Sequence, residues 1–468
     1  MNILSILAVI IPSLGGMYFG LVSGVIGGVT GMDSFLKYFD LYGDSNTATN
    51  VTGNIVSILQ AGGCGGALTA YIAADRIGRK KALVINTIIY LIGCGLQAGS
   101  RNVSMMLVGR FIGGWGTGAS TMIAPMYIAE ICALEIRGRM GALWQLNFVV
   151  GAGIIYWINY AFKIHLPEGE LQWRLPLALQ TIPGLVVLAF LSFIPESVRW
   201  LILRNRVDEA TMALSRLRGK PETSEEILEE IDLIVSSINS EKEEGGSKLH
   251  ELTKFTNMRR ILIGCFVQGA QQWTGVTVIN IYGPSIFSLI GFEGSMSSLM
   301  TGIYGSMKIL FTTLSFTFLD RKTAGRRPVL LSGAIGNTVS FLILGSLILT
   351  ASRASAAGNE VNPALGYASI VFIYIFSINM EFTWAPVPWC VCAEIFPNRI
   401  RAICISLTTA INWGMNAIIG KITPLMIARI DYGIFYFYAA MGLTTFICVL
   451  LFLPETQGKS LEEIDEVS

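Results

Sequence analysis

Charge is what this 468-residue chain has little of: Lys, Arg, Asp and Glu together number 65, or 14%, against roughly 25% in soluble globular domains. Of these, 24 fall between Glu196 and Arg260, so the mean hydropathy of +0.58 has to come from long apolar runs elsewhere. That balance excludes an ordinary cytosolic enzyme and indicates a polytopic protein of the lipid bilayer. A net charge of +1 and a pI near 7.5 leave no clustered basic face, so nucleic acid is excluded as a partner. Histidine is nearly absent, and His165 and His250 both fall in polar connections. The eight cysteines form no CxxC pair and lie almost all in apolar segments, where they read as small packing residues. Neither a metal site nor a histidine-dependent nucleophile can be assembled, so no metal, no cofactor and no enzymatic catalysis are expected. The first apolar run, Ile3 to Val29, has no basic residue before it and is too long and Gly-rich for a signal peptide. It reads as a first membrane helix.

Apolar stretches of about 20 residues cross a hydrocarbon layer as helices. The sequence offers about twelve, at 3–29, 54–74, 82–100, 105–129, 140–162, 175–195, 261–288, 296–319, 328–350, 364–393, 402–428 and 432–453. The charged stretch 196–260 separates the sixth from the seventh; within it, Ser224 to Ile238 repeats apolar residues at three- and four-residue steps and predicts amphipathic helix on a membrane surface. Loops Asp75–Lys81 and Asp320–Arg327 each hold four Lys or Arg, whereas 30–53 holds Lys37 beside Asp33, Asp40 and Asp44. The basic loops, the central stretch and both termini are therefore expected on the cytoplasmic side. Asn50-Val-Thr is an external sequon close to the second span.

An internal repeat organises the chain. Asp75-Arg-Ile-Gly-Arg-Lys returns as Asp320-Arg-Lys-Thr-Ala-Gly-Arg-Arg, Glu130 with Arg137 returns as Glu394 with Arg401, and Pro195-Glu-Ser returns as Pro454-Glu-Thr. Three signatures in one order, offset by 245, 264 and 259 residues, predict an all-α membrane protein of two pseudo-symmetric six-helix halves. The expected divisions are 1–195, the linker 196–260, 261–453 and a tail 454–468. Repeated Asp, Arg and Glu at one helix end can latch the halves together on that side, a gate that must break when the site opens. The plainer reading is that the basic loops only fix topology, yet matched carboxylates at Glu130 and Glu394 exceed what orientation requires.

Polar groups within spans are costly and usually face the bundle interior. Gln268, Gln271 and Gln272 share one helical face and precede Thr274, Gly275 and Thr277; the eleventh span has Asn412 and Asn416 around Trp413; the tenth has Trp384, Pro386, Pro388 and Trp389; the fifth has Gln145. Amides beside aromatic faces suit a ligand rich in hydroxyl groups, with a sugar as natural candidate, although single amides can also serve only helix contacts. Three ionisable residues sit deep: Arg110, Lys308 and Glu381. Each costs roughly 2.5–3.5 kcal/mol at the bilayer centre on insertion scales, so partners or a wet cavity are required. Lys308 and Glu381 either pair with each other or act separately on a ligand, and Lys308 could meet the carboxylate of an acidic one. Glycines 20, 24 and 28 in the first span and 62 and 66 in the second predict close helix approach. The prolines of the tenth predict a bend and a moving element.

These residues resemble the sugar porter family of the major facilitator superfamily, fungal members above all. The resemblance rests on Asp75-Arg-Ile-Gly-Arg-Lys, Gly109-Arg-Phe, Pro125-Met-Tyr-Ile-Ala-Glu130, Arg137-Gly-Arg, Pro195-Glu-Ser-Val-Arg-Trp-Leu201, Gln271-Gln-Trp-Thr-Gly275, Glu394-Ile-Phe-Pro and Pro454-Glu-Thr-Gln-Gly458, spread over nearly the whole chain. It implies that Gln145, Gln271, Gln272, Trp389, Asn412 and Trp413 surround a pyranose ring with Glu381 in contact. It also implies that Asp75, Arg79, Glu130, Arg137, Asp320, Arg326, Glu394 and Arg401 act as gates. Four departures qualify it. Val22 stands where proton-coupled members carry an aspartate, which leaves Arg110 without its expected partner; Thr277 replaces an asparagine; Lys308 replaces an amide; and the second basic loop is two residues longer.

The expected function is alternating-access transport of a monosaccharide, hexose or pentose, with Thr277 and Lys308 added to the site. Val22 favours facilitated diffusion, while Arg110 and Glu381 are the candidates for proton coupling. A sugar acid or quinate-like substrate is the alternative, carried by Lys308. A non-transporting sugar sensor is the rival of another class, and the roughly fifteen residues after the last span are short for signalling. A monomer in the plasma membrane is expected.

Overall fold

The computed structural model describes residues 3–41, 46–132, 137–243, 248–319, 325–358, 362–397 and 399–456, with side chains described for these apart from 137–142, 241–243, 248, 249 and 317–319. The chain folds as helix after helix. The first half runs α1 (Ile3–Val29), α2 (Asp33–Tyr38), α3 (Asn46–Ile77), α4 (Arg79–Ala98), α5 (Val103–Ile131), α6 (Arg137–His165) and the near-continuous pair α7 (Glu170–Leu179) and α8 (Thr181–Leu191). Four shorter helices follow: α9 (Val198–Leu203), α10 (Val207–Arg218), α11 (Glu225–Glu243) and α12 (Lys248–Leu252). The second half has α13 (Phe255–Trp273), α14 (Val276–Leu289), α15 (Ser295–Leu319), α16 (Arg326–Ala356), α17 (Pro363–Phe382), α18 (Val387–Ile395), α19 (Arg401–Ile430) and α20 (Gly433–Phe452). Leaving out the six-residue α2 and counting α7 with α8, α13 with α14 and α17 with α18 as single crossings gives six on each side of α9 to α12.

Eight of these crossings are long and apolar enough to span a membrane on composition alone. The other four are α5, α6, α13 with α14, and α15. They carry Arg110, Gln145, the Gln271-Gln272 pair and Lys308. The expected amphipathic segment is α11, whose Ile227, Ile231 and Ile238 are buried against the first half.

Two crossings are broken rather than continuous. Between α13 and α14, Gly275 takes φ +89°, a left-handed conformation open to glycine, and a Cβ there would sit 2.6 Å from the Phe341 ring. This break was not expected from the spacing of residues. The expected bend in the tenth span is a full interruption between α17 and α18. Pro386 and Pro388 lack the N–H groups that would continue the helical ladder. α3 begins at Asn46, earlier than expected, which places Asn50 inside the helix with its Nδ2 donating to Asn46 O.

The halves meet through α1 with α14, α3 with α19 and α6 with α15. At the end that carries residues 30–41, two lysines cross between them. Lys163 Nζ of α6 donates to Gly31 O at 3.0 Å and to Gly294 O at 3.2 Å. Lys421 Nζ of α19 donates to Asn54 Oδ1 at 2.7 Å and to Asn50 O at 3.0 Å. A Cβ on Gly27 would come within 1.8 Å of Ile281 O, so α1 reaches α14 only as bare backbone.

Replacing Gly27 by valine should hold this end open. A soluble maleimide should then label a Thr301→Cys variant, made without the native cysteines, roughly tenfold faster than when Gly27 is kept, a change equal to ~1.4 kcal/mol. Equal rates would show that the contact does not set closure.

Candidate functional site

The interruption of α17 releases carbonyls that its prolines cannot answer: Trp384 O would meet the missing N–H of Pro388. Gln271 Nε2 supplies the donor, at 2.7 Å to Trp384 O and 3.1 Å to Ala385 O. The other amides close on one another. Asn412 Nδ2 donates to Gln271 Oε1 at 2.7 Å and Gln268 Oε1 at 2.8 Å; Gln272 Nε2 donates to Asn412 Oδ1 at 3.0 Å; Thr277 Oγ1 donates to Gln272 Oε1 at 2.6 Å. One connected network thus joins both broken crossings to α19. Gln268 Nε2 and Asn416 Oδ1 are buried at its edge without a partner among the described residues.

An aromatic wall crosses from one half to the other. Phe19 of α1 lies 4.8 Å from Trp413 of α19 and 4.6 Å from Phe148 of α6, ring centre to ring centre, and Trp144 lies 6.3 Å from Trp389 of α18. Trp413 Nε1 donates to Thr121 Oγ1 of α5 at 3.3 Å. Gln145 follows Trp144 on α6, half-buried, and makes no hydrogen bond among the described residues.

Lys308 and Glu381 are both buried, and they pair: Nζ to Oε1 is 3.3 Å. Lys308 Nζ also donates to Asn280 Oδ1 at 3.0 Å, and Thr312 Oγ1 donates to Glu381 Oε2 at 2.7 Å. Asn280 accepts further from Tyr304 OH at 2.9 Å, and its backbone oxygen accepts from Tyr156 OH at 2.6 Å. The ammonium lies 5.8 Å from the centre of the Phe148 ring, which joins this cluster to the aromatic wall. Sequence reasoning missed Asn280, Phe19 and Phe148. Asn280 could have been found as the lone amide in an apolar run; the two phenylalanines carried no signal that separates them from other core rings.

Arg110 is wholly buried and has no carboxylate beside it among the described residues. Its Nε donates to Ile55 O at 3.1 Å and its Nη1 to Val22 O at 3.0 Å, while Nη2 has no partner. Val22 thus contributes its backbone where a side-chain charge was expected.

At the basic end the repeat is legible atom by atom. In the first half Arg79 forks onto Glu130, Nε to Oε2 at 2.9 Å and Nη2 to Oε1 at 3.0 Å, and pairs with Asp75 at 3.1 Å. Ser197 donates to the same Glu130, and Glu196 accepts Lys80 N at the start of α4 at 3.0 Å. In the second half Arg326 Nη2 reaches Glu394 Oε1 at 2.9 Å, Thr456 Oγ1 donates to Glu394 Oε2 at 2.8 Å, and Glu455 accepts Arg326 N at 2.8 Å. Glu196 and Glu455, known from the sequence only as parts of a repeat, are caps of α4 and α16. Both arginine pairs join helices of a single half. The latch expected between the halves is therefore not what these pairs form; the physical reason is that each arginine lies beside its own half's glutamate and spends its charge there. Arg401 donates to Phe396 O at 3.1 Å. Asp320 and the side chain of Arg137 lie outside the described residues.

Residues 8–467 match the family model described as "Sugar (and other) transporter". Among curated relatives, the probable quinate permease of Aspergillus flavus is 34% identical over 450 residues, covering 93% of this chain and 83% of that protein. The quinate permease of Emericella nidulans is 32% identical over 425 residues, covering 89% and 79%. Among solved structures, the partially occluded inward-open form of the xylose transporter XylE from E. coli superposes with a TM-score of 0.81 at 25% identity, covering 98% of this chain and 100% of that one. The proton:xylose symporter XylE bound to 6-bromo-6-deoxy-D-glucose superposes with a TM-score of 0.79 at 26% identity, covering 99% and 98%.

The two basic-end clusters differ in burial, with side-chain exposure of 5% and 12% for Arg79 and Glu130 against 12% and 29% for Arg326 and Glu394. Glu130→Gln leaves the better-buried cation with Asp75 as its one carboxylate among the pairs described and should cost about 1.5–3 kcal/mol. Melting in detergent should fall further for this variant than for Glu394→Gln; the reverse order would show that burial does not govern the pairs.

Proposed function

The chain belongs to the sugar transporter family of the major facilitator superfamily, and from that premise we propose that it carries a cyclic polyhydroxy acid of the quinate type across its membrane. The observation that carries this reading is Lys308, a buried ammonium beside the aromatic wall and 3.0 Å from Asn280, at a depth where a cation needs a reason. A ring bearing hydroxyls would lie against Trp389 and Trp413 and exchange hydrogen bonds with Gln145, Gln271, Gln272, Thr277 and Asn412, while its carboxylate reaches Lys308. The names of the fungal relatives favour the same substrate class.

A neutral monosaccharide is the second reading, favoured by one distance: Lys308 already has a carboxylate 3.3 Å away in Glu381. In either case the two halves rock about the site, with the basic-end clusters Asp75, Arg79, Glu130, Arg326, Glu394 and Arg401 as rigid shoulders of the moving parts. In this reading those clusters, the central helices and both termini face the cytoplasm of a monomer in the plasma membrane.

Counterflow uptake of labelled quinate by proteoliposomes decides between the two. Unlabelled quinate and galacturonate should compete and glucose and xylose should not, and Lys308→Gln should lose at least roughly tenfold in apparent affinity for the acids, as expected for one lost charge-assisted contact. Absence of quinate counterflow, with counterflow of labelled glucose or xylose in its place, would replace the acid reading with the monosaccharide one.

A further inference from the structure

Pro284 lies inside α14, and the N–H that it lacks is the one that would close the helical bond to the carbonyl of Asn280, four residues earlier. That carbonyl is answered from across the seam between the halves, where Tyr156 OH of α6 reaches it at 2.6 Å. The adjoining carbonyl, of Ile281, is where α1 comes against α14 through the bare backbone of Gly27. The side chain of Asn280 turns into its own half. An ammonium only donates, so the atom facing Lys308 Nζ at 3.0 Å has to be Oδ1, and Tyr304 OH donates to the same oxygen at 2.9 Å. One residue therefore joins the first half, by its backbone, to the buried cation, by its side chain. Lys308 has three N–H donors; Glu381 takes one at 3.3 Å and Asn280 a second, which leaves a third. Asn280 and Tyr156 also line a cavity between the halves together with Thr301, so a probe at Thr301 reports on the place where they meet.

We propose that Asn280 is the positioning residue of Lys308, and that Tyr156 and Pro284 make its position depend on a shut seam. This rests on the acid reading above and adds the residues that aim the cation. With the seam shut, Tyr156 fixes the backbone of Asn280, whose Oδ1 holds one N–H of Lys308 away from Glu381, so the third donor is presented to the substrate carboxylate. When the halves part at this end, α14 leaves α6 and the Asn280 carbonyl passes from the Tyr156 hydroxyl to water, because Pro284 offers no donor within the helix. Asn280 is then released, and Lys308 falls back on Glu381. The acid is held more tightly by the shut form than by the open one, and linkage makes the converse hold: a bound carboxylate favours the shut seam. A neutral ring brings Lys308 no charge to answer and shuts the seam less.

The test uses the full chain carrying Thr301→Cys, made without the native cysteines and labelled in detergent with a soluble maleimide. Saturating quinate should slow labelling at least roughly fivefold and glucose less than about twofold, while in the Asn280→Ala and Tyr156→Phe backgrounds the quinate effect should fall below about twofold. In liposome counterflow, Asn280→Ala should raise the half-saturating quinate concentration roughly fivefold, as for one lost hydrogen bond, and Asn280→Ala added to Lys308→Gln should raise it no further, because Asn280 acts through that ammonium. Losses that multiply in the double variant, no protection by quinate in the parent chain, or protection that survives Tyr156→Phe each overturn the proposal while leaving the acid reading intact. Absence of quinate counterflow in the parent chain overturns the acid reading and this proposal with it. Pro284→Ala returns the missing N–H to the Asn280 carbonyl, so Tyr156→Phe combined with Pro284→Ala serves where the single tyrosine variant fails to fold. The combined variant should fold as the parent does and lack protection by quinate; full protection there overturns the proposal.

Discussion

A hydrocarbon layer offers no water to a broken helix, so every carbonyl set free inside it has to find a donor within the protein. The arrangement of the second half follows from that constraint. Pro386 and Pro388 interrupt one crossing, Gly275 interrupts another, and Gln271, the residue three positions before Thr274, turns back to answer the carbonyls that the prolines leave open. Asn412 then fixes Gln271 and Gln272, and Trp413, the next residue on α19, reaches into the first half. Repair of backbone, placement of polar side chains and contact between halves are one connected structure.

Much of this was legible in the chain. Six-helix halves follow from three repeated signatures, and the signatures themselves become matched clusters around Glu130 and Glu394. Gln271, Gln272 and Asn412 stood out because intramembrane amides are costly unless they face something polar, and Trp413 stood out as the aromatic residue between Asn412 and Asn416. What could not be read was relational. Arg79 with Glu130 looked suited to join two halves, and only the packing of α4 on α5 shows them inside one. Asn280 became important through Lys308, Tyr304 and Tyr156, three residues on two other helices, and no spacing within its own segment announces that. Phe19 and Phe148 carry no polar atom at all; position alone distinguishes them.

The two ends of the bundle hold together by different means. At the basic end, charge meets charge within each half, bidentate and well buried in the first. At the other end, Lys163 crosses to the carbonyl of Gly294 and Lys421 to the oxygens of Asn50 and Asn54, with no carboxylate among these acceptors. Bonds from an ammonium to neutral oxygens are easily exchanged for water. A carrier needs rigid halves and a seam that parts, and the acceptor chemistry at each end matches that division.

The amide network also has a meaning for affinity. Its donors and acceptors largely satisfy one another: Gln272 is held by Asn412 and Thr277, and Asn412 by Gln268 and Gln271. A ligand hydroxyl that enters must displace a bond already made, and its gain is the difference between two hydrogen-bonded states rather than the full strength of one. If these residues form the site, as proposed, each ligand hydroxyl adds little net free energy. Loose binding is a failing in a receptor, but a carrier that held its cargo tightly would stall with it, so a self-satisfied cradle is a means of throughput.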